Sequence, residues 1–79
     1  MKDPDTGYGL DPDEIKPGTK VMICPGYDLW MMGAQTGVIR KVLPNGNVKV
    51  KMDHWQVKVM KTFPIDRLKY IGYNWRQAY

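Results

Sequence analysis

The sequence has few of the residues that stabilise small proteins through disulfides or bound metal ions. Its 79 residues include one cysteine, Cys24, so no disulfide can form within the chain. They include one histidine, His54, which is too few for the usual Cys/His zinc site. There is no apolar run long enough to span a bilayer and no signal-peptide pattern at the start. These absences predict a cytoplasmic protein outside the membrane that holds no metal or other cofactor.

Catalytic motifs are also missing. Cys24 and His54 are the types of residue that form a nucleophile–base pair, but no third group or oxyanion loop accompanies them. Cys24 ends an apolar strand pattern, which favours a buried and inert thiol. The sequence has no phosphate-binding glycine loop and no paired-carboxylate motif. It therefore favours a binding module over an enzyme and offers no catalytic residue.

Charge is distributed unevenly along the chain. Residues 1–15 hold five acids against one lysine, a net charge of −4, whereas residues 16–79 hold eleven lysines and arginines against three acids, a net charge of +8. A basic body with an acidic arm favours an anionic partner, and the arm could compete for the same surface. Net charge alone leaves open the alternative that it merely keeps a small domain soluble.

Alternating apolar and polar residues predict five short strands. They are TKVMIC at 19–24, VIRKVL at 38–43, NVKVKM at 47–52, VKVM at 57–60, and a last strand that follows one helical turn in FPIDRLKYI at 63–71. The acidic segment 1–15 has almost no apolar periodicity, and only Tyr8, Leu10 and Ile15 could fix it to the rest of the chain, so we expect residues 1–14 to be mobile or to lie on a basic surface. PGYDLWMMGAQTG, at 25–37, is predicted to be a long loop.

The dipeptide Asn45-Gly46 between two of these strands is a strong hairpin signal, because both residues of such a two-residue turn adopt positive φ. This turn would place Lys41 opposite Val50 and direct it towards the core. If the other face of this strand points to the core, Arg40 is directed inward instead. A bulge or sharp bend in the strand would remove the conflict, so the sequence leaves the orientation of Arg40 and Lys41 open.

Five short strands with one long loop after the first predict a small, bent, all-β barrel. Through PGTKVMI, GAQTGVIRKV, NGNVKVKM and FPIDRLKYI, over roughly residues 16–71, the chain resembles the SH3-like barrels, and most closely their KOW-type and Tudor-type relatives. We accordingly divide it into an extended acidic arm at 1–15, an SH3-like barrel at 16–72 and an aromatic tail at 73–79. The resemblance implies that the long first loop lines a ligand groove with Tyr27, Asp28, Leu29 and Trp30. The alternative is that Trp30, Met31 and Met32 plug one end of the barrel.

The lysine-rich strands carry the main functional signal. If the apolar residues of NVKVKM face the core, Lys49 and Lys51 face outward, and a short loop then places Lys58 opposite Lys51. Like charges directly opposite each other repel, and a bound anion would remove that cost. We therefore expect an anionic partner, either nucleic acid or an acidic protein surface, with Arg40 and these lysines on the phosphates. Trp55 or Trp30 would stack on a base or sugar. The alternative is a solvated wall of lysines that guards against aggregation.

Two other functions are consistent with the residues. A protein–protein adaptor or small assembly subunit, for example of a virus, would use the aromatic loop 27–32 and the tail with Trp75. Type II dihydrofolate reductases are SH3-like chains that act as tetramers, and their Val-Gln-Ile-Tyr motif corresponds here to residues 57–60. The Gln and Tyr are missing and the following spacing is longer by two residues. The sequence does not distinguish DNA from RNA, and it leaves a homo-oligomer open.

Overall fold

The computed structural model describes residues 3–73 and shows an all-β chain built around one antiparallel sheet. The bounds are β1 Thr19–Ile23, β2 Thr36–Val42, β3 Val48–Met52, β4 Lys61–Phe63 and β5 Leu68–Tyr73, with a short helix α1 at Asp28–Met31 and 3₁₀ turns at Pro12–Glu14 and Ile65–Arg67. The strands lie in the order β4-β3-β2-β1-β5, which confirms the prediction of five antiparallel strands. Within residues 3–73 no strand pair joins β4 to β5. Closure of the sheet into an SH3-like barrel thus stays a prediction.

The core lies on one side of the sheet and follows the alternation in the sequence. In β1 the buried Val21 and Ile23 alternate with the half-buried Lys20 and Met22, because successive side chains of a strand point to opposite faces. The three apolar residues of β3 are buried in the same way. Each fully buried aliphatic side chain stabilises the fold by roughly 1.5–3 kcal/mol relative to exposure. The buried cluster consists of Leu10, Val21, Ile23, Ala34, Ile39, Val48, Val50, Met52, Phe63 and Leu68.

The turn between β2 and β3 differs from the predicted one. Gly46 N donates to Leu43 O at 3.0 Å, and Leu43 N donates to Asn47 O at 2.8 Å. The turn therefore has Pro44 and Asn45 at its centre, and of these loop residues only Gly46 has a positive φ, +90°. The predicted two-residue turn at Asn45-Gly46 is wrong because proline, with its φ fixed near −65°, suits the first central position of a type I turn. Gly46 then supplies the left-handed residue that closes the loop.

The bulge expected in β2 is confirmed. The pairing of β2 with β3 shifts between Ile39 and Lys41, so Arg40 is the additional residue on the β2 side. Ile39 lies opposite Val50 in the core, and after the shift Lys41 lies opposite Lys49. Lys41 is therefore exposed on the outer side of the sheet, while Arg40 is half-buried. The orientation that the sequence left open is outward for Lys41.

The fourth strand begins later than predicted. Residues 57–60 lie outside the strands, and β4 is only three residues long. Val57 N donates to His54 O at 3.0 Å, which turns the chain away from β3 directly after that strand ends. The predicted pairing of Lys58 with Lys51 is therefore wrong. The stretch 57–60, on which the resemblance to type II dihydrofolate reductases depends, is likewise not a strand.

The N-terminal segment packs onto the sheet. Leu10 is 1% exposed and belongs to the core cluster. The preceding Gly9 forms a parallel bridge to β5, and its N donates to Leu68 O at 2.7 Å. Leu10, one of the few apolar residues of this segment, and the backbone hydrogen bond of Gly9 thus hold the segment on the sheet, where the sequence predicted a mobile segment or one lying on a basic surface.

The connection between β1 and β2 contains α1, where the sequence predicted only a loop. Trp30 is half-buried and packs against the core cluster. Met31 is 86% exposed and Met32 is 43% exposed. The interpretation that all three residues plug one end of the sheet is wrong for the methionines, since a single helical turn directs only part of its circumference towards the core.

The stretch after β4 follows the prediction. One helical turn, Ile65–Arg67, leads into the last strand, whose first residue Leu68 is fully buried. β5 extends to Tyr73, which is the first residue of the predicted tail. The rest of that tail, with Trp75, lies outside the described residues.

Candidate nucleic-acid interface

Four lysines from three strands share the side of the sheet that faces away from the core. Residues paired across neighbouring antiparallel strands point to the same face. Lys20 pairs with Val38, and Val38 pairs in turn with Lys51. Lys41 pairs with Lys49 beyond the bulge. Because Lys49 and Lys51 alternate with the buried residues of β3, this is the outer face. Lys20, Lys41, Lys49 and Lys51 are called the lysine face below.

Two members of the lysine face lie directly opposite each other. Residues at such positions have Cα atoms about 4.5–5.5 Å apart. Like charges there destabilise the pair by a fraction of a kcal/mol, up to about 1 kcal/mol. The sequence predicted this kind of repulsion between Lys51 and Lys58, whereas the structure places it between Lys41 and Lys49. The bulge at Arg40 is the reason, since it turns Lys41 to the outer face.

One carboxylate lies beside the lysine face. Asp53 Oδ2 accepts a hydrogen bond from Thr36 Oγ1 at 3.2 Å and lies 3.9 Å from Lys20 Nζ. Both charged side chains are more than a third exposed, so this ion pair contributes at most about 1 kcal/mol. Among the described residues no carboxylate lies within ion-pair distance of the other three lysines. Most of the charge of the lysine face is therefore not neutralised by the fold.

The layer beneath these charges is apolar. Val38 is 0% exposed, although it lies on the outer face and is not part of the core cluster. Its paired neighbours are Lys20 and Lys51, and Lys20 reaches across β2 towards Asp53. The aliphatic stems of lysines cover apolar surface while their ammonium groups stay in water. The positive groups thus lie on a packed layer.

Two residues that the sequence assigned to phosphate contacts lie outside the strand pairs that define the lysine face. Arg40 occupies the bulge, where it has no place in the ladder between β2 and β3. Lys58 is exposed in the connection between β3 and β4. Sequence reasoning missed Lys20 and left Lys41 undecided. The alternation in β1 was a usable signal for Lys20, whereas the place of Lys41 depends on the exact position of the bulge.

Of the two tryptophans considered for stacking, Trp55 is the accessible one. It lies two residues beyond Asp53 and is 79% exposed. Its ring stacks on His54 at 6.2 Å between centroids and 14° between planes. His54 Nδ1 in turn accepts a hydrogen bond from Gln56 N at 3.2 Å. The loop holds one face of an indole against histidine, whereas Trp30 is half-buried against the core.

A separate cavity lies between α1 and β4. It has a volume of about 350 Å³ and is lined by Tyr27, Asp28, Leu29, Lys61, Thr62 and Phe63. The rings of Tyr27 and Phe63 meet edge to face at 5.2 Å. Three of the four loop residues implied by the SH3-like resemblance line this cavity, and Trp30 does not. The contribution of β4 was missed because the sequence placed that strand four residues too early.

A larger cavity of about 600 Å³ lies beside the N-terminal segment, with three aspartates, Arg67, Tyr8 and Cys24 among its lining residues. Tyr8 OH donates to Ile23 O at 3.2 Å. Burial, with a smaller contribution from Cys24, raises the pKa of the Tyr8 phenol. Cys24 is a free thiol and is half-buried, not fully buried as predicted. Within residues 3–73 no group of three His, Cys, Asp or Glu side chains could hold a metal ion.

The lysine face and the cavity at β4 occupy different parts of the sheet. The lysine face spans β1 to β3 on the outer side, and the cavity lies at the edge where the sheet ends. No helix in the described part of the chain is long and apolar enough to cross a membrane. No family model, no curated protein and no solved structure matches this chain.

Proposed function

We propose that this protein is a non-enzymatic binding module that holds nucleic acid by its phosphate groups on the lysine face. The observation that carries the proposal is the placement of Lys41 directly opposite Lys49, with Lys51 next to them on β3. The fold keeps these like charges together without a carboxylate at ion-pair distance among the described residues. A bound anion offsets the repulsion, because it is attracted by all the lysines at once.

The spacing of the lysines suits a linear polyanion. Lys49 and Lys51 are two residues apart on β3, which separates their Cα atoms by about 6.6 Å along the strand. Lys41 adds a charge about 5 Å away in the perpendicular direction. Ammonium groups on flexible stems bind phosphates as point charges and carry no base specificity. We therefore expect affinity without sequence selectivity, with Trp55 adding a stacking surface beside the phosphate track.

The proposed fold is an SH3-like barrel of KOW or Tudor type, and the proposed location is the cytoplasm. Five antiparallel strands, a long first connection and a helical turn before the last strand support it. A protein–protein adaptor is the second candidate function. The cavity that brings Tyr27, Asp28 and Leu29 together with β4 favours it. The two candidates use different surfaces, so they can be tested separately.

Salt dependence of binding tests the first candidate. Labelled single-stranded and duplex oligonucleotides of mixed sequence are titrated with the full chain at several salt concentrations. Three or four phosphate contacts give a log–log slope of roughly −2 to −4, because each contact releases about 0.7 to 0.9 counterion. Lys41→Gln with Lys49→Gln should flatten the slope by about 1.5. The same double change should leave thermal stability unharmed, since it removes a repulsion.

The matched control removes two positive charges away from the lysine face, through Lys16→Gln, whose ammonium lies over the Tyr73 ring, with Arg67→Gln in the turn before β5. It lowers the net charge equally but leaves the lysine face intact, so its slope should remain close to that of the wild type. Equal slopes for both double variants would attribute binding to net charge alone. Absence of binding at low salt would contradict the proposal and leave the lysines as a solvated wall.

A further inference from the structure

The two edges of the sheet, β5 and β4, differ in whether another part of the described chain covers them. At β5 the N-terminal segment lies along the strand, with Gly9 bridged to Lys69 and Leu10 packed into the core beside it. At β4, within residues 3–73, no strand or backbone hydrogen bond covers the outer edge of Lys61–Phe63. The start of the β5 edge is thus covered by the protein's own backbone, whereas the β4 edge has no backbone partner among residues 3–73.

An open edge strand is a template for another strand. The two residues that lead into β4 make this template longer and more apolar, since Val59 is 64% exposed and Met60 is 47% exposed. Directly beside the edge lies the cavity of about 350 Å³ between α1 and β4. This volume is at the lower end of the ~300–1,000 Å³ range of ligand sites and admits one or two side chains.

Charge at this edge restricts what can bind. Lys61 pairs with Val50, so it points to the same side of the sheet as the core, and it lines the cavity. Asp28 lines the same cavity, but within residues 3–73 it does not lie at ion-pair distance from Lys61. An apolar strand added beside Lys61 would therefore leave the charge of this lysine without a partner. Lys58, three residues earlier, adds a second positive charge to the approach. A strand that brings carboxylates removes this penalty.

We propose that the open edge of β4 binds an extended, acidic peptide segment of a partner protein as an additional strand. Backbone hydrogen bonds to β4 supply affinity, and one apolar side chain of the peptide enters the cavity between Leu29 and the edge-to-face pair of Tyr27 and Phe63. A carboxylate of the same peptide neutralises Lys61. This site is independent of the lysine face, since it uses the edge of the sheet and not its outer surface.

The experiment begins with a linear peptide library displayed on phage and selected on the full chain. Enriched sequences should alternate apolar and other residues and should contain acids. A synthetic peptide of the enriched sequence is then compared with a version N-methylated at alternate residues, which keeps every side chain but removes backbone donors. We expect N-methylation to weaken binding by about tenfold or more, the loss of one or two hydrogen bonds. Amide hydrogen exchange at residues 61–63 should slow when the unmodified peptide binds.

Two variants on α1 form a matched pair. Leu29→Ala removes a side chain that lines the cavity and should weaken peptide binding by about tenfold. Met31→Ala removes a side chain of similar size that is 86% exposed and does not line the cavity, so affinity should not change. Lys41→Gln with Lys49→Gln should also leave peptide binding unchanged, whether or not the lysine face binds nucleic acid.

Four results would overturn the proposal. One is a selection that enriches no peptide. Another is equal affinity of the N-methylated and unmodified peptides, which would mean side-chain docking without an added strand. A third is loss of peptide binding in the double lysine variant, which would identify the peptide as a polyanion on the lysine face. The last is full exchange protection of residues 61–63 in the free protein, which would show that the chain's own residues already occupy the edge.

Discussion

The N-terminal segment, residues 3–15, and the connection 53–60 are both long stretches with little regular structure, and they are held in opposite ways. The first has almost no apolar pattern, yet it places Leu10 in the core and Gly9 on the edge of β5. The second contains the alternating VKVM, yet it forms no strand and exposes Val59. The comparison shows that one buried side chain and one backbone hydrogen bond are enough to hold a segment on the sheet. An alternating pattern of apolar and polar residues does not form a strand when no neighbouring strand pairs with it.

The segments also differ in what they leave available for binding. The N-terminal segment uses its apolar side chain and backbone to complete the fold and covers a sheet edge. The connection places Trp55, which is 79% exposed, two residues after Asp53 and leads into the edge of β4 that no other described strand covers. Substitutions in the first segment should therefore affect stability, and substitutions in the second should affect binding.

The largest effect should come from Leu10→Ala. This change removes a side chain that is 1% exposed in the core cluster, which costs about 2–5 kcal/mol of unfolding free energy. Urea denaturation followed by tryptophan fluorescence measures it. A loss below about 0.5 kcal/mol, the range of ordinary surface changes, would contradict the packing of the N-terminal segment.

A smaller effect is expected for Tyr8→Phe. The variant loses the hydrogen bond from the phenol to Ile23 O but keeps the ring, so it should lose about 0.5–1.5 kcal/mol at neutral pH. The comparison partner is Tyr73→Phe at the end of β5, whose side chain is 47% exposed. The two changes remove the same atom, and a larger loss at Tyr8 would attribute the effect to the N-terminal contact. Equal losses would mean that this contact does not hold the segment.

The same phenol should give the wild type a dependence on alkaline pH. Burial raises the pKa of Tyr8 in the folded state above its ordinary value of 10.0. The unfolded chain therefore releases this proton first, and the associated stability is fully present below pH 10.0 and is lost as the pH rises beyond it. The difference in unfolding free energy between the wild type and Tyr8→Phe should be constant up to that pH and narrow above it. A constant difference over the whole range would contradict the raised pKa.

The smallest effect should come from the connection 53–60. Val59→Ala truncates a side chain that is 64% exposed, and Trp55→Ala truncates one that is 79% exposed. Each variant should therefore change the unfolding free energy by no more than about 0.5 kcal/mol. Trp55→Ala should nevertheless weaken binding of single-stranded nucleic acid if the indole stacks on bases, by about 1–3 kcal/mol. A loss of several kcal/mol of stability in either variant would show that this connection is packed, and the contrast with the N-terminal segment would fail.

The parts of the fold that depend on local chemistry could be predicted from the sequence. The alternation in TKVMIC and NVKVKM predicts β1 and β3 with their inner and outer residues, and FPIDRLKYI predicts a helical turn before β5. The turn between β2 and β3 differs from the prediction because the fixed φ of Pro44 suits the first central position of a type I turn, which places the turn one residue before Asn45-Gly46. The place of β4 could not be predicted, since VKVM is as suitable for a strand as KTF, and only the turn after β3 decides between them.

The candidate site was predictable to the extent that single strands define it. Lys49 and Lys51 follow from the alternation in β3 alone. That Lys41 shares their face could not be predicted without the position of the bulge, and that Lys20 shares it could not be predicted without the strand order. The bulge position and the strand order are both properties of the assembled sheet. The cavity at β4 combines an irregular connection with a mispredicted strand, so its lining could be predicted only for the residues of the first loop.

The burial of Val38 under Lys20 and Lys51 has a consequence for mutagenesis of this surface. Both lysines are the paired neighbours of this buried valine, and the aliphatic stem of a lysine covers apolar surface while its ammonium group stays in water. The stem of each lysine therefore shields the valine from water, and its charge attracts an anionic partner. Shortening to alanine would remove both together and uncover an aliphatic side chain, so an alanine scan would report lost solubility as lost affinity. Glutamine or methionine, which retain most of the stem, separate the two quantities.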